Sequence, residues 1–107
     1  MSTDRELLEW AAKAAGLWDE NDPSNGMLKG TGQYWNPLTD DGDALRLVAA
    51  LRLNVYYDHV PPWRVCVQYP IKRVQSCYIY ESAVTEVAAA TRRAVVRAAA
   101  EIGKGMP

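Results

Sequence analysis

The stretch LNVYYDHVPPWRVCVQYPIKRVQSCYIY, residues 53–80, decides the class of this protein. β-Branched and aromatic residues dominate it, and their bulk packs well on a pleated surface. Prolines and short polar runs divide it into three strands, LNVYY (53–57), WRVCVQY (63–69) and VQSCYIY (74–80). The first two flank DHVPP, a turn stiffened by Pro61 and Pro62. PIKR (70–73) reads as a four-residue hairpin loop, which sets Tyr69 opposite Val74 and Cys66 opposite Cys77. In the middle strand Val65, Val67 and Tyr69 share one face, while Arg64, Cys66 and Gln68 share the other. In the third, Val74, Ser76, Tyr78 and Tyr80 oppose Gln75, Cys77 and Ile79. Both faces carry apolar or aromatic groups, so both are expected to be at least partly covered.

Helices flank the strands. ESAVTEVAAATRRAVVRAAAEIGKG (81–105) places Val84, Val87, Ala88, Thr91, Val95, Ala98, Ala99 and Ile102 on one stripe. Ser82 is its expected N-cap and Gly103 its expected end. Before the strands, the acidic run of WNPLTDDGDALRL (35–47) leads into a helix from about Asp41 to Arg52. Pro37 discourages helix at Asn36. Asp40 fits the N-cap, and Asp41 and Asp43 fit the first turn, where free N–H groups favour negative charge. Leu45, Val48 and Leu51 form the apolar stripe of that helix, widened by Leu47. At the N-terminus, Thr3 and Glu6 bracket DRELLEWAAKAA as a capping box, and Gly16 ends the helix in a left-handed conformation.

Residues 17–38 are rich in turn formers, with a two-strand ribbon expected near Met27–Leu28 and Gln33–Trp35. The expected architecture is α+β: a small antiparallel sheet of three to five strands layered with three helices, in the order α-(ββ)-α-β-β-β-α. One domain is expected over residues 1–107.

Three stretches resemble a known family: TDRELLEWAAKAAG (3–16), WNPLTDDGDALRL (35–47) and ATRRAVVRAAAEIG (90–103). Together they look like the small bacteriophage and prophage proteins grouped as the phage α-β-α sandwich domain. They span 41 of the 107 residues. The resemblance implies a phage or prophage origin and a sheet layered with helices. It implies no activity and supplies no catalytic residues, and residues 17–34 and 54–82 lie outside it.

Composition narrows the function classes. Net charge is −1, which gives no general affinity for nucleic acid or membrane. The charge is nonetheless uneven. Residues 1–53 carry nine acidic against five basic side chains, and residues 54–107 carry four against seven. No apolar run approaches the roughly 20 residues of a membrane span. The start, MSTDRELLEW, lacks the basic then apolar pattern of a signal peptide, so a cytoplasmic place is expected, and the resemblance implies that the cell is a bacterial host. Cys66 and Cys77 are then expected to be reduced, packed thiols.

No residue set specifies chemistry. Asp40, Asp41 and Asp43 could bind a cation, but calcium loops spread their ligands over about twelve residues and end in a bidentate Glu. Helix capping accounts for all three. His59, the single histidine, sits in a predicted turn without an evident nucleophile. One His and two Cys without CxxC spacing make a poor zinc set. No catalytic residue, metal or cofactor is therefore expected.

Interaction is the remaining reading. Trp18, Tyr34, Trp35, Tyr56, Tyr57 and Trp63 exceed what a small core holds, and Trp, Tyr and Arg most often anchor interfaces. Trp18, Tyr34, Trp35, Arg92, Arg93 and Arg97 are the candidate partner-binding residues. A non-enzymatic accessory protein is expected, acting on host enzymes, defence complexes, phage proteins or its own copies. The alternative is a nucleic-acid-binding module. It would use Arg92, Arg93 and Arg97 with Lys72 and Arg73, in an element order like that of double-stranded RNA-binding domains.

Overall fold

The computed structural model describes residues 3–17, 35–72 and 75–106. It contains α1 (Asp4–Ala14), α2 (Asp41–Leu51), β1 (Asn54–Tyr57), β2 (Arg64–Lys72), β3 (Gln75–Ser82) and α3 (Val87–Lys104). The strands form an antiparallel sheet in the order β1-β2-β3. The α+β class holds. The expected ribbon at Met27–Leu28 and Gln33–Trp35 falls outside the described residues, apart from Trp35, which lies in no strand.

α1 begins as the sequence requires. Thr3 Oγ1 accepts the Glu6 N–H at 3.1 Å, and Glu6 Oε1 accepts the Thr3 N–H at 3.2 Å. It ends in a Schellman motif: Gly16 lies at φ 75°, Gly16 N–H donates to Lys13 O and Leu17 N–H to Ala12 O. The Thr3 backbone N–H, then its hydroxyl, hold the Glu6 carboxyl below its ordinary value of 4.5. A depressed carboxylate stabilises the fold above its unfolded value, and that contribution disappears as pH falls through the lowered one. Stability should therefore decline below about pH 4.5 partly through Glu6, and Glu6→Gln should flatten that part of the profile in thermal melts.

α2 is entered through a locked turn. Asp40 Oδ2 accepts the Asp43 N–H at 2.7 Å, the N-cap bond. Asp43 reaches back in turn, its Oδ2 accepting the Asn36 N–H at 2.9 Å and its Oδ1 a donor from Arg46 at 3.1 Å. Asn36 Oδ1 accepts the Leu38 N–H, closing an Asx turn around the buried Pro37. Leu45, expected on the core stripe, is instead 68% exposed, while Ala44 and Leu47 are buried. The last turn ends on Arg52 in the left-handed region, and Leu53 N–H donates to Val48 O.

The hairpin register differs from expectation. Tyr69 pairs with Cys77, Cys66 with Tyr80 and Lys72 with Gln75, so PIKR is not a four-residue loop. Pro70 and Ile71 continue β2, with a register shift between Pro70 and Lys72. Pro70 is tolerated because β1 pairs with β2 only as far as Asn54 opposite Gln68. Among the described residues β2 has no β1 partner beyond that point, and proline is tolerated on such an edge. The three-residue slip sets Cys66 opposite Tyr80 and Cys77 opposite Tyr69, so the two cysteines are not cross-strand partners.

α3 is the hub, touching α1, α2, β2 and β3. Its buried residues are Ala94, Val95, Val96, Ala98, Ala99, Ala100 and Gly103. These small side chains let neighbours approach from more than one direction. Two expectations fail here. Ser82 does not cap α3: it pairs with Arg64 as the last residue of β3, and Glu86 takes the cap position without a side-chain cap bond. Gly103 does not end the helix, which runs on to Lys104. Gly103 is buried where α3 crosses α1, and a Cβ there would overlap the Trp10 carbonyl. Trp35, read as a partner-binding residue, is 6% exposed within the core, so its ring is closed to a partner.

The helices cover one face of the sheet. Val65, Val67 and Tyr69 are buried beneath them, with Val55 and Ile79 packed alongside. The other face is largely open, contrary to the expectation that both faces would be covered. Tyr56, Tyr78 and Tyr80 are each about half exposed there, and among the described residues of that face Cys66 is the buried one.

Candidate functional site

Two features stand out from this frame: an apolar groove and the arginine clamps beside it. The groove has a volume of about 680 Å³ and runs between α2 and the first half of α3, with β1 as its floor. Ala44, Leu45 and Val48 form one wall, Val87, Ala88, Thr91 and Val95 the other, and Val55 and Tyr57 the base. Leu45 and Val87, on opposite walls of the groove, remain exposed. Val87 and Ala88, read as core positions from their spacing, belong to this open part.

Polar contacts tie the groove's rim. Thr91 Oγ1 donates to Val87 O at 2.8 Å, which uses its one hydrogen, so the Tyr57 hydroxyl donates to Thr91 Oγ1 at 2.7 Å. Arg92 Nε donates to Leu38 O at 2.9 Å, and its Nη1 pairs with Asp41 at 2.6 Å. Arg92 thereby fastens α3 to the turn before α2.

The other two arginines also face carboxylates. Arg93 pairs with Asp4 at 3.1 Å and lies 3.7 Å from Glu81. Arg97 pairs with Glu81 at 2.8 Å and donates to Tyr80 O at 3.0 Å. Together they clamp α3 to β3 and to the start of α1. Exposed pairs of this kind each contribute about 0.2–1 kcal/mol. The three arginines are thus brought to one helix, but each is matched by an acid rather than gathered as an unbalanced basic stripe.

The remaining candidates are scattered. Trp18 and Tyr34 lie outside the described residues. His59 is exposed in the β1–β2 connection and is not part of the groove. Asp40 caps α2 and Asp43 is buried in its first turn. Among the described residues no three His, Cys, Asp or Glu side chains gather so as to hold a metal ion. No described helix is long and apolar enough to cross a membrane.

The open sheet face was missed by sequence reasoning. Across it, Asn54, Gln68 and Tyr78 form one cross-strand row, and Tyr56, Cys66 and Tyr80 the next. The Arg64 guanidinium lies 4.5 Å from the Tyr80 ring centroid. The Cys66 thiol beside Tyr80, through its charge and a hydrogen bond, pushes the Tyr80 hydroxyl above its ordinary value. The alternation Tyr78-Ile79-Tyr80 was the available signal, but it does not say which face the helices choose. No known protein family, curated protein or solved structure matches this chain.

Proposed function

We propose that the chain is a non-enzymatic accessory protein of a bacteriophage or prophage. It works in the cytoplasm of the bacterial host by binding another protein, host or phage, through the α2–α3 groove. The observation that carries this reading is the pair Leu45 and Val87. Two apolar side chains on different helices stay exposed above an apolar floor. Contiguous apolar surface of this kind marks interaction sites in small proteins. A trough walled by two helices fits the apolar face of a third, with anchors at helical spacing. The Arg92–Asp41 pair at the rim supplies a polar edge that fixes the direction of entry. The resemblance of three sequence stretches to phage sandwich proteins supports the phage origin.

Capture from bacterial lysate tests the proposal. The chain should retain a stoichiometric protein, and Leu45→Asp/Val87→Asp should lose it. Both residues are exposed, so the double variant should melt within about 1 kcal/mol of the parent. A chain that is monomeric in solution and captures nothing, or a double variant that captures the same protein, would refute it. Flanking genes give a second check: a setting of early phage genes fits host takeover, and one of structural genes fits assembly.

A further inference from the structure

The face of the sheet turned away from the helices has the parts of a stacking surface. Its outward positions are Asn54 and Tyr56 on β1, Arg64, Cys66 and Gln68 on β2, and Tyr78, Tyr80 and Ser82 on β3. None of them is a carboxylate. Tyr78 and Tyr80 lie side by side with centroids 6.4 Å apart and planes 23° from parallel. Tyr56 stands across the central strand, in register with Tyr80 through Cys66. Tyr56, Tyr78 and Tyr80 are each about half exposed on this one face.

Charge and hydrogen bonding complete the surface. Asp58 takes the Arg64 Nε at 3.0 Å, which steadies the guanidinium over Tyr80 and leaves the Nη groups to donate elsewhere. Gln68 Oε1 accepts from both the Tyr56 hydroxyl and the Asn54 amide, each at 3.2 Å. The Gln68 Nε2 hydrogens make no hydrogen bond among the described residues, so they remain as donors in the middle of the face. Arg52 just before β1 and Lys72 at the end of β2 place basic residues at the hairpin end of the sheet, opposite the Arg64 end.

We infer that this open sheet face binds single-stranded nucleic acid, stacking bases on Tyr78, Tyr56 and the Arg64–Tyr80 pair. Exposed bases stack on aromatic rings and guanidinium planes, and their edges accept and donate to amide side chains. Arg64 at one end, partly balanced by Asp58, and Arg52 near the other complement a chain that carries one phosphate per base. Duplexes are poor ligands for such a face because their rings are already stacked. This site shares no residue with the α2–α3 groove, and it uses β1, β2 and β3 rather than the arginines of α3.

Titration of the full chain with fluorescent oligo(dT), oligo(U) and a matched duplex, across a salt series, tests the inference. Single strands should bind at about 50 mM salt and bind more tightly than the duplex. Tyr78→Ala should weaken binding roughly tenfold, while Tyr78→Phe, which keeps the ring, should retain it. Tyr78 is half exposed and pairs with Gln68, so its loss should leave the melting curve in place, and Tyr80→Ala serves as the second variant. Arg64→Gln should lower the salt slope by about 0.7, the value for one phosphate contact on a single strand. Leu45→Asp/Val87→Asp should bind oligonucleotides as the parent does. Absence of binding at low salt, equal affinity in Tyr78→Ala, or preference for the duplex would each overturn it. So would tyrosine-dependent binding of a soluble oligosaccharide without any of oligonucleotide.

Discussion

Gly103→Ala should lower the melting temperature by roughly 10 °C, corresponding to a net loss of about 2 kcal/mol in a domain of this size. Helix propensity alone gives the opposite sign, since alanine is better than glycine inside a helix by about 1 kcal/mol. Sterics reverse it. The added Cβ would overlap the carbonyl oxygen of Trp10 and come within 2.7 Å of its carbonyl carbon. These are backbone atoms and cannot rotate aside, so α1 and α3 would have to separate. Overpacking typically costs about 1–3 kcal/mol, and an obstacle that cannot move belongs at the upper end or beyond it. Thermal melts by circular dichroism decide the matter. Trp10→Ala should not rescue Gly103→Ala, because the obstruction is main chain rather than indole. A rise in melting temperature would show that the two helices are further apart than described.

Asp43→Ala should cost about 3 kcal/mol. The side chain is fully buried and accepts the Asn36 N–H and an Arg46 donor. Its removal leaves the Asn36 N–H without its acceptor, and an unsatisfied buried donor costs about 1–3 kcal/mol. The vacated volume and the lost charge-assisted bond add to that. Arg46 is 69% exposed and returns to water, so no stranded buried cation adds to the cost. Asp43→Asn keeps one acceptor oxygen and should fall between the parent and Asp43→Ala. By contrast Asp41→Ala, at a position 81% exposed, should change stability by less than about 1 kcal/mol. Chemical denaturation of the three variants would separate these values. Equal effects at positions 41 and 43 would mean that the acidic run acts only through the helix dipole.

The same acidic run shows how far local reasoning reaches. That Asp40 caps a helix was legible, because an N-cap acts over three residues and needs only its own sequence. That Asp43 is also a buried anchor for Asn36 was not, because burial is set by what packs on top. Thr3, Glu6 and Gly16 were legible for the same reason as Asp40. Ser82 was misread because a strand outcompeted a cap: Arg64 offered it a ladder position, and local hydroxyl chemistry cannot weigh that alternative. Arg92, Arg93 and Arg97 were correctly grouped on one helix. Their partners Asp41, Asp4 and Glu81 come from three other elements.

The candidate surfaces follow the same division. Alternation placed Tyr78 and Tyr80 together but could not say whether that side met helices or water. Helical spacing put Leu45 on an apolar stripe without revealing that it lines an open groove. The assumed hairpin loop set the register three residues out, because Pro70 looked like a terminator until the neighbouring strand was seen to stop short of it.

By itself the sequence determined what depends on neighbours a few residues away: the three helices and three strands described, the caps of α1 and α2, and the alternation of faces. Those features arise from backbone hydrogen bonding and side-chain period, both of which act over short distances. Tertiary structure alone decided the hairpin register, the close crossing at Gly103, the burial of Trp35 and Asp43, and which tyrosines and leucines remain exposed. Each of these depends on where a distant segment comes to rest, and the removal of surface from water is shared among segments that no local pattern connects.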